Sequence, residues 1–146
     1  MNPVLLKIVG QIGLALLLGG LVGLEREKKR KEAGLQTYTL VCLGACLFTI
    51  IALQLFYQFE GNEGISFDPS RVITAVATGI GFIGAGVIIH REFRVEGLTT
   101  AAGLWATSAI GVAVGMGEYF LALVATLFAI VVLFLFGILE RKIFKK

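Results

Sequence analysis

The chain has 146 residues, 57% of them hydrophobic and only 16% charged, and its mean hydropathy is +0.89; ordinary soluble domains carry about 25% charged residues. A soluble globule is excluded. The net charge of +3 comes from bunched charges, and 19 glycines beside 2 prolines point to helices packed closely on one another.

Uncharged stretches at 8–24, 33–59, 72–89, 97–117 and 119–139 reach or approach the roughly 18–20 residues that cross a bilayer core. Their apolar character is continuous, which excludes the alternating segments of an outer-membrane barrel. The expected fold is an all-α membrane protein: one domain, 1–146, with five transmembrane helices.

Span one follows Met1-Asn2-Pro3. No basic cluster precedes it and no small-residue cleavage site comes before Glu25, so it is expected to stay in the mature protein rather than be removed as a signal peptide. Lys7 lies near its outer end, where a long side chain can snorkel to the headgroups. Ala15, Gly19 and Gly23, at successive fourth positions, form a small-residue seam. The segment Glu25 to Gly34 then holds five basic residues, and Lys29 is assigned to this solvated loop. Span two opens at Gly34-Leu35-Gln36-Thr37 and carries Cys42 and Cys46 on one face. With His90 the only histidine, no metal-ligand set can be assembled and the thiols read as packing groups.

Asp68-Pro69-Ser70-Arg71 reads as the start of span three, with Asp68 as cap and Pro69 at the first helical position. Arg71 there opposes the helix dipole and calls for an acidic partner, Asp68 or Glu118. Ala77, Gly81 and Ala85 form a second seam, with Gly84 beside it. Span four opens at Gly97-Leu98-Thr99-Thr100 and carries Gly103, Thr107, Gly111 and Gly115. Span five, 120–139, has no glycine before Gly137 and is expected to be peripheral, facing lipid or a second subunit. With five spans, eleven of the 13 basic residues share one side, which the positive-inside bias makes cytoplasmic. The amino terminus is therefore expected outside and the carboxy terminus inside. The basic charge reflects orientation and attraction to lipid headgroups rather than nucleic acid.

The end of span one (Gly19 to Glu27) and the end of span three (Gly84 to Glu92) match at Gly19/Gly84, Val22/Val87, Arg26/Arg91 and Glu27/Glu92. Each then runs into a helix start, Gly34 to Thr37 and Gly97 to Thr100. Two parallel-repeat hairpins, spans 1–2 and 3–4, are expected, related by an axis along the membrane normal.

The strings GLERE at 23–27, AGLQT at 33–37, DPSR at 68–71, GIGFIGAG at 79–86 and GLTTAA at 97–102 together resemble the MgtC/SapB family of bacterial inner-membrane proteins. The resemblance implies a role in adaptation to low magnesium and related stresses. Many members have Arg then His where this chain has Gln36 and Tyr38, and many continue into a soluble carboxy-terminal domain whose sensing role is not expected here.

The candidate site is the inner mouth. The first amides of spans two and four point there, where an anion or carboxylate can be held, with Arg26 and Arg91 just across the connections. Gly34, Thr37, Gly97, Thr99 and Thr100 complete the set, with Glu25, Glu27 and Glu92 as acidic partners. In the alternative, the threonines only cap the helices and the arginines anchor the interface. A magnesium site on Glu25, Glu27, Glu32, Glu92 and Glu96 competes with local ion pairing, since each glutamate lies beside a basic residue. No nucleophile and base pair assembles within the spans, so an enzyme is not expected and no cofactor is implied. Membrane lipids, copies of the chain and other inner-membrane proteins are the expected partners. A transporter or channel for an ion or small solute is the alternative function.

Overall fold

The computed structural model describes residues 2–61, 68–91 and 94–143. Five helical stretches in it are long and apolar enough to cross a membrane. The first, α1 (Pro3–Lys28), opens with Asn2 accepting the Val4 amide at 3.0 Å and Pro3 in the first turn, where its missing N–H costs nothing. It ends in a Schellman turn: the Lys31 amide donates to the Arg26 carbonyl and the Arg30 amide to that of Glu27, with Arg30 at φ 50°. That turn reverses the chain over the end of α1 and into α2 (Leu35–Phe59).

Before α3 (Ser70–Val87), Asp68 Oδ1 accepts the Ser70 amide at 2.9 Å and Pro69 holds φ −60°, within a residue of the expected start. Hydrogen bonding from the Ser70 side chain, first, and from the Ser70 amide holds the Asp68 carboxyl below its ordinary value, with a smaller contribution from Arg71. Arg71 itself makes no ion pair within 4 Å among the described residues, so the expected close partner is not found in Asp68 or Glu118.

The all-helical expectation needs one correction. Between α3 and the next helix lie two short antiparallel strands, β1 (Ile89–Arg91) and β2 (Arg94–Glu96), with His90 opposite Val95. The chain then folds back onto the end of α3 through Gly97 at φ 86°, where a Cβ would sit 2.2 Å from the Val87 carbonyl oxygen. Only glycine fits that approach.

The following helix, α4 (Leu98–Met116), is the buried centre of the bundle. It ends in a second Schellman turn at Gly117 (φ 88°), and α5 (Tyr119–Val131) begins two residues later. A π-helical turn (Val132–Phe136) interrupts this last span before α6 (Gly137–Ile143).

Glycine seams determine how α2 is held. On one side, a Cβ at Gly19 would meet Cys42 Cβ at 2.6 Å, and one at Gly23 the Leu35 backbone at 2.8 Å. On the other, a Cβ at Gly111 would lie 2.2 Å from the Cys42 carbonyl oxygen, and one at Gly115 2.7 Å from that of Cys46. The stripe Tyr38, Cys42, Cys46 and Thr49 is thus clamped between α1 and α4. The small thiols are what permit backbones to approach on both sides.

The seam read on span three is a second correction. Gly81 faces open space, whereas Gly84 lies against Ala101 and Ile80 is buried. The helix is rotated so that Ile80 and Gly84 turn inward, with Ala77 half-buried on the same face, whereas Gly81 and Ala85 are exposed. Span five is mostly exposed, with Ala122, Thr126 and Leu133 its buried residues.

Candidate functional site

At the basic end of the bundle, three stretches of chain converge on Thr100 of α4. Arg26, on the last turns of α1, is 2% exposed, and its Nη2 donates to Thr100 Oγ1 at 2.9 Å. The same hydroxyl donates to Glu32 Oε2 at 2.5 Å. Tyr38, fully buried on α2, donates its phenol to the Thr100 carbonyl at 3.1 Å. Space for that phenol comes from Gly103, where a Cβ would stand 2.5 Å from the hydroxyl. Hydrogen bonding from Thr100, first, and from its own backbone amide holds the Glu32 carboxyl below the ordinary glutamate value, with Lys31 and Arg26 adding smaller attraction.

Beside this hub stands an ionic cluster. Lys29 Nζ contacts Glu25 Oε1 one helical turn back and donates to the Leu133 carbonyl at 2.8 Å, while lying 5.3 Å from the Phe134 ring centroid. The carbonyl belongs to the π-helical turn, which alters the regular backbone pairing and re-aims carbonyls. Gly137 leaves room for the ammonium, which a Cβ would meet at 3.3 Å. Lys29 is therefore docked on span five, and its assignment to the solvated loop is corrected. Glu25 also lies 3.8 Å from Arg26 Nη1, an ionic distance too long for a hydrogen bond. Glu25 Oε1 is met by the Lys29 ammonium, while Glu25 Oε2 and Arg26 Nε are buried without a hydrogen-bond partner among the described residues.

The other predicted residues fall differently. Thr37 and Thr99 do not cap: the N-caps are Gly34 and Gly97, neither with a side-chain hydrogen bond. Glu27 Oε2 instead accepts the Leu35 amide at 3.0 Å, and its carboxylate fills the space a Cβ at Gly34 would need. Arg91 lies on β1, beyond the end of its helix, whereas Arg26 lies within α1, so the two are not placed alike. The Arg91 side chain and Glu92 lie outside what the structure describes. No group of three or more histidine, cysteine, aspartate or glutamate residues is arranged to hold a metal ion among the described residues.

At the acidic end, buried Gln11 of α1 donates through Nε2 to the Val114 and Gly115 carbonyls, both at 2.9 Å, fastening the end of α4. Between α2 and α3 lies a cavity of about 810 Å³, walled by residues such as Val41, Gly44, Val76 and Gly79, with Gln36, Thr37 and Ser108 its polar members.

Residues 12–142 match the MgtC family. The chain belongs to the MgtC family. It is 40% identical over 147 residues to a protein of Haemophilus influenzae named only as uncharacterized, covering 99% of this chain and 62% of that relative. YhiD of Escherichia coli (strain K12), named as a candidate magnesium transporter, is 39% identical over 133 residues, 91% of this chain and 62% of YhiD. MgtC of Brucella abortus (strain 2308) is 44% identical over 118 residues, 81% of this chain and 46% of that protein. The chain thus spans about three fifths of the first two relatives and under half of the third. No solved structure matches it.

With family membership and five spans together, this is a multi-pass membrane protein. Within the MgtC bundle, sequence reasoning placed Arg26 and Thr100 near one mouth but identified neither Tyr38 as the partner of Thr100 nor Leu133 as the partner of Lys29. A phenol inside an apolar span is a readable signal of a buried hydrogen bond. A backbone carbonyl on span five leaves no mark in residue type.

Proposed function

We propose that this chain is a non-enzymatic, multi-pass protein of the bacterial inner membrane that acts in magnesium-related homeostasis or stress adaptation. In this reading it works by associating with other membrane proteins and with copies of itself, without carrying the ion. The supporting observation is that the buried polar side chains within the spans, away from the basic end, are already engaged. Gln11 donates to α4 carbonyls, and the hydroxyls of Thr49, Thr107, Ser108 and Thr126 donate to carbonyls of their own helices. Magnesium needs oxygen ligands and gives up water reluctantly, and the cavity between α2 and α3 is walled mainly by apolar groups.

The basic end is assigned to the cytoplasm by the positive-inside bias, which places the amino terminus and the α2–α3 loop outside. Gly19 and Gly84 each lie against the fourth residue after the glycine that opens the next helix, Tyr38 and Ala101 respectively. This correspondence supports reading the two hairpins as a parallel repeat.

The test is magnesium flux in liposomes containing the purified protein. None is expected. Saturable uptake abolished by Glu25→Gln or Thr107→Val would replace this reading with transport of an ion or small solute, the alternative favoured by the name given to YhiD. Labelling of single cysteines at Glu60 and Lys31, on a background lacking Cys42 and Cys46, checks the orientation. Outside reactivity is expected at position 60 only.

A further inference from the structure

Glu32 reaches the hub from outside the helices. It lies in the connection between α1 and α2 and is exposed, yet its carboxylate oxygen sits 2.5 Å from the buried hydroxyl of Thr100. Two observations describe the place it occupies. The first is the Arg26 guanidinium: it is 2% exposed, one nitrogen is bonded to the same hydroxyl, and its Nε–H has no hydrogen-bond partner among the described residues. A guanidinium presents donors in a planar fork suited to a carboxylate or phosphate. The second is charge. Arg26 and Lys29 face one buried carboxylate, Glu25, already in contact with Lys29, so the cluster is one positive charge in excess until Glu32 is counted. A buried cation without a counter-charge is costly at the edge of a membrane. The first turn of α4, which carries Thr100, adds the positive end of a helix dipole.

We propose that Arg26 and Thr100 form a seat for an oxyanion group, carboxylate or phosphate, and that Glu32 is a tethered occupant which an external oxyanion displaces. The anion comes either free from solution or as the phosphate of a lipid headgroup. The proposal is independent of whether the chain works through other membrane proteins. Glu32 closes the seat from an exposed connection, so its departure frees the α1–α2 connection without breaking a helix. The seat thereby couples anion binding to the shape of the basic face.

The test uses the full chain in neutral-lipid nanodiscs, with inorganic phosphate and acetate as probes and thermal unfolding as readout. Glu32→Gln should be stabilised saturably by phosphate or acetate. The wild type should need about tenfold more, because a tethered competitor reduces the fraction of empty seats. Adding Thr100→Val to Glu32→Gln should abolish the response, whereas adding Lys31→Gln should preserve it. Stabilisation by phosphatidylglycerol in the nanodisc without added anion would assign the source to a headgroup. Stabilisation by free phosphate in neutral lipid would assign it to a soluble anion. No saturable effect of phosphate, acetate or phosphatidylglycerol on Glu32→Gln, or an effect that survives Thr100→Val, overturns the proposal. Should Glu32→Gln fail to fold, hydrogen exchange on the wild type carries the same decision. Faster exchange in residues 29–34 at high phosphate supports displacement, and unchanged exchange overturns it.

Discussion

Lys29, the residue that caps the end of α1, donates to the Leu133 carbonyl on span five at 2.8 Å, joining residues 104 positions apart in sequence. The bond falls at the π-helical turn, and it is reinforced by the Phe134 face and by Glu25. It binds the basic end of the most apolar span to the rest of the bundle. Lys29→Met keeps the length of the side chain and removes the charge. The expected outcome is faster hydrogen exchange across residues 133–143, with residues 119–126 unchanged. Uniform exchange along span five would show that the bond does not fasten it.

Tyr38 and Gly103 form a size-matched pair. A methyl at Gly103 would meet the Tyr38 hydroxyl at 2.5 Å, so Gly103→Ala should lower the melting temperature in detergent, at a cost of about 1–3 kcal/mol typical of overpacking. Removing the hydroxyl with Tyr38→Phe loses a hydrogen bond but makes the space. The double variant should therefore be more stable than the sum of the two single changes predicts, as a double-mutant cycle would read. Strict additivity would mean the two residues do not compete for that space.

Gly111 and Gly81, alike in sequence context, should behave oppositely. At Gly111 the obstacle to a Cβ is the Cys42 carbonyl oxygen at 2.2 Å, a backbone atom with little freedom to move, whereas at Gly81 nothing lies within 4 Å. Gly111→Ala should destabilise the purified protein by about 1–3 kcal/mol. Gly81→Ala should be neutral or mildly stabilising, since Ala is favoured over Gly in a helix by up to about 1 kcal/mol. Equal melting temperatures for the two variants would contradict the rotation assigned to α3.

The Glu32 carboxyl, held below its ordinary value chiefly by the Thr100 hydroxyl, gives stability a defined pH dependence. A group whose folded pKa is depressed contributes stability above its unfolded value and loses it as the pH falls through the folded one. Wild-type melting temperature should therefore drop on acidification below the ordinary glutamate range. In Glu32→Gln that drop should be smaller, and above pH 6 the variant should melt below the wild type. Parallel curves for the two proteins would remove Glu32 from the account.

The spans were legible because charges bunch at their ends, and a bilayer core fixes how long an uncharged run must be. The phase of a span was harder to read. Small residues every fourth position marked the true seams at Gly19, Gly103 and Gly111, but α3 carries glycines and alanines on several faces, and tertiary packing chose Gly84 over Gly81. Charge bunching located Arg26 at the mouth and spacing located Thr100, yet neither could say that Glu27 caps α2 from across the connection. Capping patterns are read from adjacent residues, and this cap comes from eight positions away. Lys29 was misplaced for a related reason: its partner is a main-chain oxygen whose direction depends on a local change of helix type.

The five spans divide their dependence on lipid unequally. Span five is the most apolar and among the least buried, while α4 is among the least apolar and by far the most buried. A nascent chain releases its helices in order, so α4 leaves the insertion machinery with less affinity for hydrocarbon than α1 or α2 had. Its proper surroundings are the walls of helices already delivered, above all the α2 stripe that its own Gly103, Gly111 and Gly115 approach closely. Biogenesis of this protein is thus sequential: the pair α1–α2 must be in place to receive the central helix, and the last span closes over it. Substitutions at the α2–α4 contact should therefore show their first effect during synthesis, as chains cleared by membrane proteases before any finished protein accumulates.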